Sequence, residues 1–332
     1  MRCPFLLRSV WPLSTGLCGR RAVPYNWGDA GRESTEIDGA TTVACLIGDA
    51  VQGSLSPRIH NAAFAALGLN WRYVAFPVPR DRLGEALRGL AALGVAGVNV
   101  TVPHKEAALA YLDETTDDAR GIGAVNTIRI VGRRLIGHNT DGAGVLDTLR
   151  ADGRVAVEGA RAVIIGAGGA ARAAAFALTG AGAAAVTIAN RNWDRAASVA
   201  EVVRRGFPHC AVEAMALEGP ALAAAVREAS LLIQATPLGG QAQRAASPVP
   251  AEALHPNLFV MDMVYNPSET ALLRDARARG CRALGGLPML VYQGARAFEI
   301  WTGRPAPIEV MRDAVGLSPR IASEGLSGCF GI

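Results

Sequence analysis

The chain has 332 residues, half of them hydrophobic and 19% charged, with 38 glycines and a formal net charge of +4. That length accommodates two domains with large cores, while so mild a charge, without any Lys/Arg run or aromatic-interleaved patch, argues against a nucleic-acid partner. The cysteines (Cys3, Cys18, Cys45, Cys210, Cys281, Cys329) and the five histidines are scattered, so spacing offers neither a disulfide framework nor a metal site; reduced thiols in the cytoplasm are expected, and no apolar run nears the roughly 18 residues of a membrane span.

Residues 1–28 carry four arginines and no acid. Arg8 and Pro12 interrupt the apolar stretch, so no signal-peptide core forms, and residues 1–41 read as an extension. The ordered chain begins with "TVACLIG", a buried strand by pattern. In "SLSPRIHNAAFAALG", Ser56 suits an N-cap, Pro57 the first helical position and Gly68 the stop. "WRYVAFPV" is the next strand, "RLGEALRGLAALG" an amphipathic helix, "GVNVTVP" a strand and "KEAALAYLD" a helix. "GAVNTIRIVGRRLIGHNTDG" gives two short strands with a turn at Gly132. Residues 42–141 thus alternate strand and helix, as in an α/β domain with a largely parallel sheet.

A second unit opens with "RAVIIGAGGAARAAAFALTGAGAAAVTIANR": a strand over 161–165, a glycine turn, a helix to about Leu178 and a strand over 185–190. "SLLIQAT", "LFVMDMVY" and "CRALGG" add strands, and "SETALLRDARARG" a helix. This is a doubly wound pattern over residues 142–285. The last helix, "PMLVYQGARAFEIWTG", falls outside that count and is expected to return to the first domain, making it residues 42–141 plus 286–318.

"GAGGAA", Gly166 to Ala171, fits G-x-G-x-x-A. The spacing alone is weak, but here it follows a strand and opens a helix, the context in which backbone N–H groups meet a pyrophosphate. The next strand ends in "ANRNWDR". A carboxylate there would accept from a ribose 2′-OH; Asn190, Arg191 and Arg195 instead suit a 2′-phosphate, so NADP is favoured over NAD. The bland alternative is that both arginines are solvated charges at a helix start.

In the first unit, polar residues sit where the apolar pattern stops. Ser54 and Ser56 precede a helix N-terminus that could face a carboxylate, although Ser56 also works as a plain cap. Asn99 and Thr101 alternate with Val98, Val100 and Val102, giving one strand a polar face. Asn126 ends "GAVN", and Thr140 and Asp141 end "HNTD". Gln293 shares a helix face with Met289, Ala297 and Ile300 and needs a polar partner there. Lys105, just past a strand and Pro103, is either a solvated loop charge or a placed catalytic group.

Taken together, "GSLSP", "NVTVPHKE", "GAVNT", "HNTDG", "GAGGAAR", "NRNWDR", "DMVYNPSET" and "GLPMLVYQGA", in this order over residues 42–315, resemble the shikimate dehydrogenase family. The resemblance implies an N-terminal α/β substrate domain, a Rossmann-like NADP-binding domain with the active site in the cleft between them, and NADPH-dependent reduction of 3-dehydroshikimate to shikimate, an aromatic amino acid precursor. It implies carboxylate binding by Ser54 and Ser56, and contacts to ring hydroxyls from Asn99, Thr101, Asn126, Asp141 and Gln293. Lys105 and Asp141 would be the catalytic pair. Gly166, Ala167, Gly168, Gly169, Ala170, Ala171, Asn190, Arg191 and Arg195 would hold NADP, with Tyr265 near the nicotinamide. A small-molecule substrate, no metal, and a monomer or homodimer are expected. The chain departs from the family pattern at Gly53 (usually His), Asn192 (commonly Thr) and Gln234 (usually Asn), which leaves quinate and aminoshikimate as alternative substrates. A ligand-sensing homologue is the third reading. A free lysine titrates at about 10.4, so Lys105 either moves the proton or only stabilises charge.

Overall fold

The computed structural model describes residues 37–317; the expectation for residues 1–36 lies outside them. The first half comprises strand β1 (Thr42–Gly48), helix α1 (Ser56–Ala66), β2 (Trp71–Pro77), α2 (Leu83–Ala92), β3 (Gly97–Val100), β4 (Glu114–Thr115), α3 (Asp117–Ile122), β5 (Thr127–Val131) and β6 (Arg134–His138). Its sheet runs β2-β1-β3-β5-β6-β4. The β1–β2, β1–β3 and β4–β6 pairs are parallel, as expected of a largely parallel sheet, whereas β5 runs antiparallel to both of its neighbours, β3 and β6. The tight turn at Gly132 dictates the β5–β6 pairing, because two strands joined by so short a connection can pair only antiparallel.

Helix α4 (Asp141–Thr148) continues into a π turn, Leu149–Gly153. Then follow β7 (Arg161–Ile165), α5 (Gly169–Gly180), β8 (Ala185–Asn190), α6 (Trp193–Gly206), β9 (Ala211–Ala216), α7 (Pro220–Glu228), β10 (Leu231–Gln234), β11 (Phe259–Asp262), α8 (Ala271–Ala278), β12 (Arg282–Leu284), α9 (Leu287–Thr302) and α10 (Ile308–Asp313). The second sheet, β12-β11-β10-β7-β8-β9, is parallel throughout, the doubly wound order. Apolar clusters cover both of its faces, which is why its strands read as continuous hydrophobic runs. The first sheet is likewise packed on both sides. Helix α9 lies against that first sheet, where the Trp301 indole N–H donates to the Ile128 carbonyl at 3.0 Å.

Two local expectations fail. Residues 105–113 form no α-helix, only a 3₁₀ segment, Ala107–Tyr111. Asp113 already pairs with Leu135 of β6 at 3.0 Å, which leaves too few residues to offset the cost of a helix nucleus. Ser56 is not an N-cap either: it is the first residue of α1, and Leu55 holds the cap position without a side-chain bond. Ser54 takes the local role instead, its Oγ accepting from the Ser56 amide at 3.2 Å.

Candidate active site

The carboxyl ends of β1 and β3 face those of β10 and β11 across a cleft of about 620 Å³, which α9 closes on one side. Ser54, Ser56, Asn99, Thr101, Lys105, Asn126, Asp141, Tyr265 and Gln293 all line it. Strand β3 ends at Val100, so Thr101 sits just beyond the strand, still held by its amide on the Ile47 carbonyl at 2.9 Å. The Ser54 hydroxyl donates to Ser56 Oγ at 3.2 Å, and the uncapped N-terminus of α1 lies beside this pair. An anion there would meet hydroxyl donors and the positive end of an eleven-residue helix.

Lys105 Nζ donates to Asp141 Oδ2 at 2.5 Å. Their side chains are 14% and 4% exposed, so the pair is shielded from bulk water. Each member is held from behind. The Lys105 carbonyl accepts from the Val125 amide at 2.8 Å, and the lysine stem runs over Gly169, where a Cβ would lie 2.9 Å from Lys105 Cδ. Only glycine permits that approach. Asp141 opens α4, where the helix dipole favours a carboxylate. Its Oδ1 accepts from Asn126 Nδ2 at 2.8 Å, and its amide donates to Asn139 Oδ1 at 3.0 Å. His104, next to the lysine, is buried with Nε2 2.7 Å from the Val78 carbonyl, a structural position.

Asn126 is the hub of a buried polar network. Its Oδ1 accepts from the Thr140 amide at 2.8 Å and from Thr127 Oγ1 at 3.0 Å. The Gln293 amide lies alongside, Oε1 3.4 Å from Asn126 Nδ2, with its own Nε2 donating to the Leu290 carbonyl at 2.8 Å. Asn99 joins through Thr127, 3.1 Å away, and accepts from the Tyr73 hydroxyl at 2.7 Å. Tyr73 is buried, and burial raises its phenol well above the ordinary value, with the nearby Cys45 adding to that and a Ser56 hydrogen bond opposing it. Burial likewise raises Tyr265, against a hydrogen bond from the Ser54 side. Both phenols therefore stay neutral hydrogen-bonding groups at physiological pH. The loop carrying Tyr265 is anchored by buried Asp262, which accepts from the Val264 amide at 3.0 Å and the Thr270 hydroxyl at 2.7 Å. Burial pushes that carboxyl up to about 6.

The glycine turn lies beyond Lys105, between the ends of β7 and β10, at the switch point of the second sheet. Gly166 has φ +118°, a conformation side chains rarely adopt, and a Cβ there would press on the Ala235 carbonyl at 3.2 Å. At Gly168 a Cβ would meet nothing within 4 Å, so that backbone is open to an approaching group. Helix α5 starts at Gly169 with no side-chain cap, leaving its amides for an acceptor. Ala167 and Ala171 are buried and offer only backbone, whereas Ala170 is half-buried. Asn190 ends β8 and donates to the Asn192 carbonyl at 2.9 Å; Asn192 in turn caps α6, accepting from the Arg195 amide at 3.1 Å. Arg191 is exposed, and Arg195 reaches back to the Ala167 carbonyl at 3.4 Å. An open turn, an uncapped helix start and two guanidiniums beyond β8 fit a dinucleotide carrying an extra phosphate. Among the described residues no cluster of three His, Cys, Asp or Glu could hold a metal ion, and no helix is long and apolar enough to cross a membrane.

This geometry has close counterparts. The chain is 48% identical over 283 residues to the shikimate dehydrogenase (NADP(+)) of Methanopyrus kandleri, an alignment covering 85% of this chain and 97% of that one. The chain belongs to the shikimate dehydrogenase family. Family models agree: the shikimate dehydrogenase substrate binding domain matches residues 46–128, shikimate / quinate 5-dehydrogenase matches 150–242, and the shikimate 5′-dehydrogenase C-terminal domain matches 286–315. Among solved structures, a shikimate dehydrogenase in complex with NADP+ superposes with a TM-score of 0.78 at 41% identity, covering 86% of this chain and 98% of that one. The Thermus thermophilus shikimate 5-dehydrogenase, in complex with NADP(H) and shikimate, gives 0.74 at 40%, covering 82% and 98%.

Within this shikimate dehydrogenase cleft, sequence reasoning singled out the lining residues but missed their supports. Tyr73 and Thr127 fix the Asn99 amide from within strands, where a polar residue in an apolar run was the available signal. Asp262 and Thr270 are eight apart, one in a stretch that reads as strand and the other in one that reads as helix. Glu106 and Arg172, which also meet, carry no sequence sign of doing so.

Proposed function

We propose that the chain is an NADP-dependent shikimate dehydrogenase that interconverts 3-dehydroshikimate and shikimate, with Lys105 and Asp141 as its acid–base pair. The observation that supports the assignment of roles is the 2.5 Å Lys105–Asp141 contact, shielded at the cleft wall and adjoining the glycine turn. When bound, NADPH supplies the hydride. As a carbonyl carbon becomes an alcohol carbon its oxygen gains a proton, and Lys105 Nζ gives that proton and takes it back in oxidation. A positioned acid–base group contributes about 10²–10⁴ in rate. Asp141, fixed by Asn126, orients the ammonium and accepts from a ring hydroxyl.

Ser54, Ser56 and the α1 N-terminus hold the substrate carboxylate, while Asn99, Thr101, Asn126 and Gln293 read the ring hydroxyls. Residues Gly166 to Ala171 carry the pyrophosphate, Asn190, Arg191 and Arg195 the ribose phosphate, and Tyr265 covers the nicotinamide side. The accompanying division is a substrate domain of residues 42–141 with the C-terminal segment from 286, and a cofactor domain of 142–285; the Trp301 to Ile128 bond supports that return. A cytoplasmic location, supported by the buried free thiols Cys45, Cys210 and Cys281, and a monomeric or homodimeric state complete the reading. The test is product identity. Purified protein given shikimate and NADP+ should form 3-dehydroshikimate and NADPH one for one; an absence of turnover contradicts the proposal.

A further inference from the structure

Glu106 follows Lys105, yet its carboxylate points to the nucleotide side of the molecule. Oε1 accepts from Arg195 Nη2 at 2.8 Å, and Oε2 lies 3.6 Å from Arg172 Nη2. The same Arg195 nitrogen reaches the Ala167 carbonyl within the glycine turn. Arg172 stands one turn into α5, is 13% exposed on its side chain, and its Nε has no hydrogen-bond partner among the described residues. Two guanidiniums therefore converge on one carboxylate beside the phosphate-binding turn. Guanidinium forks take carboxylate and phosphate oxygens in the same bidentate manner. A phosphate approaching Arg195 meets a carboxylate already paired there, and the two anions repel one another.

We propose that Glu106 is a specificity-determining residue for the cofactor: its carboxylate competes with the ribose 2′-phosphate for Arg195 and so selectively lowers the affinity for NADP. The proposal rests on the reading of Arg195 as a 2′-phosphate ligand. NAD lacks that phosphate, so its affinity is independent of the Glu106–Arg195 pair. The Arg195 and Glu106 side chains are 52% and 40% exposed, so solvent weakens the pair. Removing the competing charge should tighten NADP+ by about two- to fivefold, the range of a half-exposed ion pair.

The experiment is calorimetric titration of NADP+ and NAD+ into wild-type protein, Glu106→Gln, Arg195→Gln and the double variant, with no substrate present. The expected result is tighter NADP+ and unchanged NAD+ for Glu106→Gln, with no effect of that substitution once Arg195 is Gln. If Arg195→Gln weakens NADP+ selectively but Glu106→Gln leaves it unchanged or weaker, the competition is overturned while the Arg195 reading stands. Equal tightening of both cofactors reduces Glu106 to a general surface charge and also overturns it. If Arg195→Gln spares the NADP+ preference, the Arg195 reading itself fails and the proposal falls with it. Unchanged melting temperatures establish that the glutamine variants remain folded.

Discussion

Replacing Lys105 with methionine keeps the stem that packs over Gly169 and removes only the charge. Two unit charges 2.5 Å apart attract by about 7 kcal/mol at an effective dielectric near 20, and desolvation of both groups cancels much of it. Cutting one partner from a buried pair typically costs about 3–5 kcal/mol. Asp141 keeps the Asn126 donor and its place at the start of α4, so the expected loss of stability is lower, about 2–3 kcal/mol. Turnover should fall much further in relative terms. Losing the acid–base group removes about 10²–10⁴ in kcat, or about 3–5 kcal/mol of barrier lowering, with a smaller change in KM for shikimate. Steady-state kinetics in both directions, with urea unfolding alongside, separate the two effects. Lys105→Arg divides the remaining roles, because a guanidinium keeps the charge but does not release its proton. If Lys105→Met stays within tenfold of wild-type kcat while folded, the catalytic role is refuted. Substantial activity in Lys105→Arg would leave the lysine only as a charge stabiliser.

Two further outcomes follow from buried groups. Burial lowers His60 from its ordinary 6.5 to about 3, so below pH 6.5 the unfolded chain takes up a proton that the folded chain refuses. His60 thus supports the fold above 6.5, and that support is lost as pH falls toward 3, by about 1.4 kcal/mol per pH unit. His60→Leu should flatten the acid limb of a stability–pH curve by this slope, and an unchanged slope between pH 6.5 and 4.5 counts against it. Tyr73→Phe removes the 2.7 Å donor to Asn99. It should cost about 1–3 kcal/mol of stability and raise KM for shikimate severalfold with little change in kcat or NADP+ affinity; a fall in kcat with KM constant would contradict the positioning role.

The strands β1, β7, β8 and β10 were legible because a strand covered on both faces reads as an unbroken apolar run. The glycine turn was legible because strand, turn and helix are contiguous. Helices α3, α4, α6, α7 and α10 and strands β4 and β9 escaped notice. Thr116 caps α3 through the Ala119 amide, but six residues carry too little periodicity to register. Strand β9 lies at the sheet edge, half-exposed, so its alanines and single glutamate give no buried-strand pattern. At the site, residue types could be read from the chain itself, whereas the Lys105–Asp141 pair came only from the family resemblance and the Glu106–Arg195 pair not at all. Lys105 and Asp141 are 36 residues apart, and Arg195 and Glu106 are 89 apart on different sheets' elements. Ser54 and Ser56 show the converse error, since N-cap chemistry suited Ser56 while the backbone began the helix one residue early.

Substrate and cofactor choice together decide whether the cleft works as proposed, and both are read from initial rates of the purified protein with shikimate, quinate and aminoshikimate, each with NADP+ and with NAD+. Shikimate with NADP+ should give the highest kcat/KM; a clear preference for quinate with NAD+ would overturn both the arginine-based choice of cofactor and the assigned substrate.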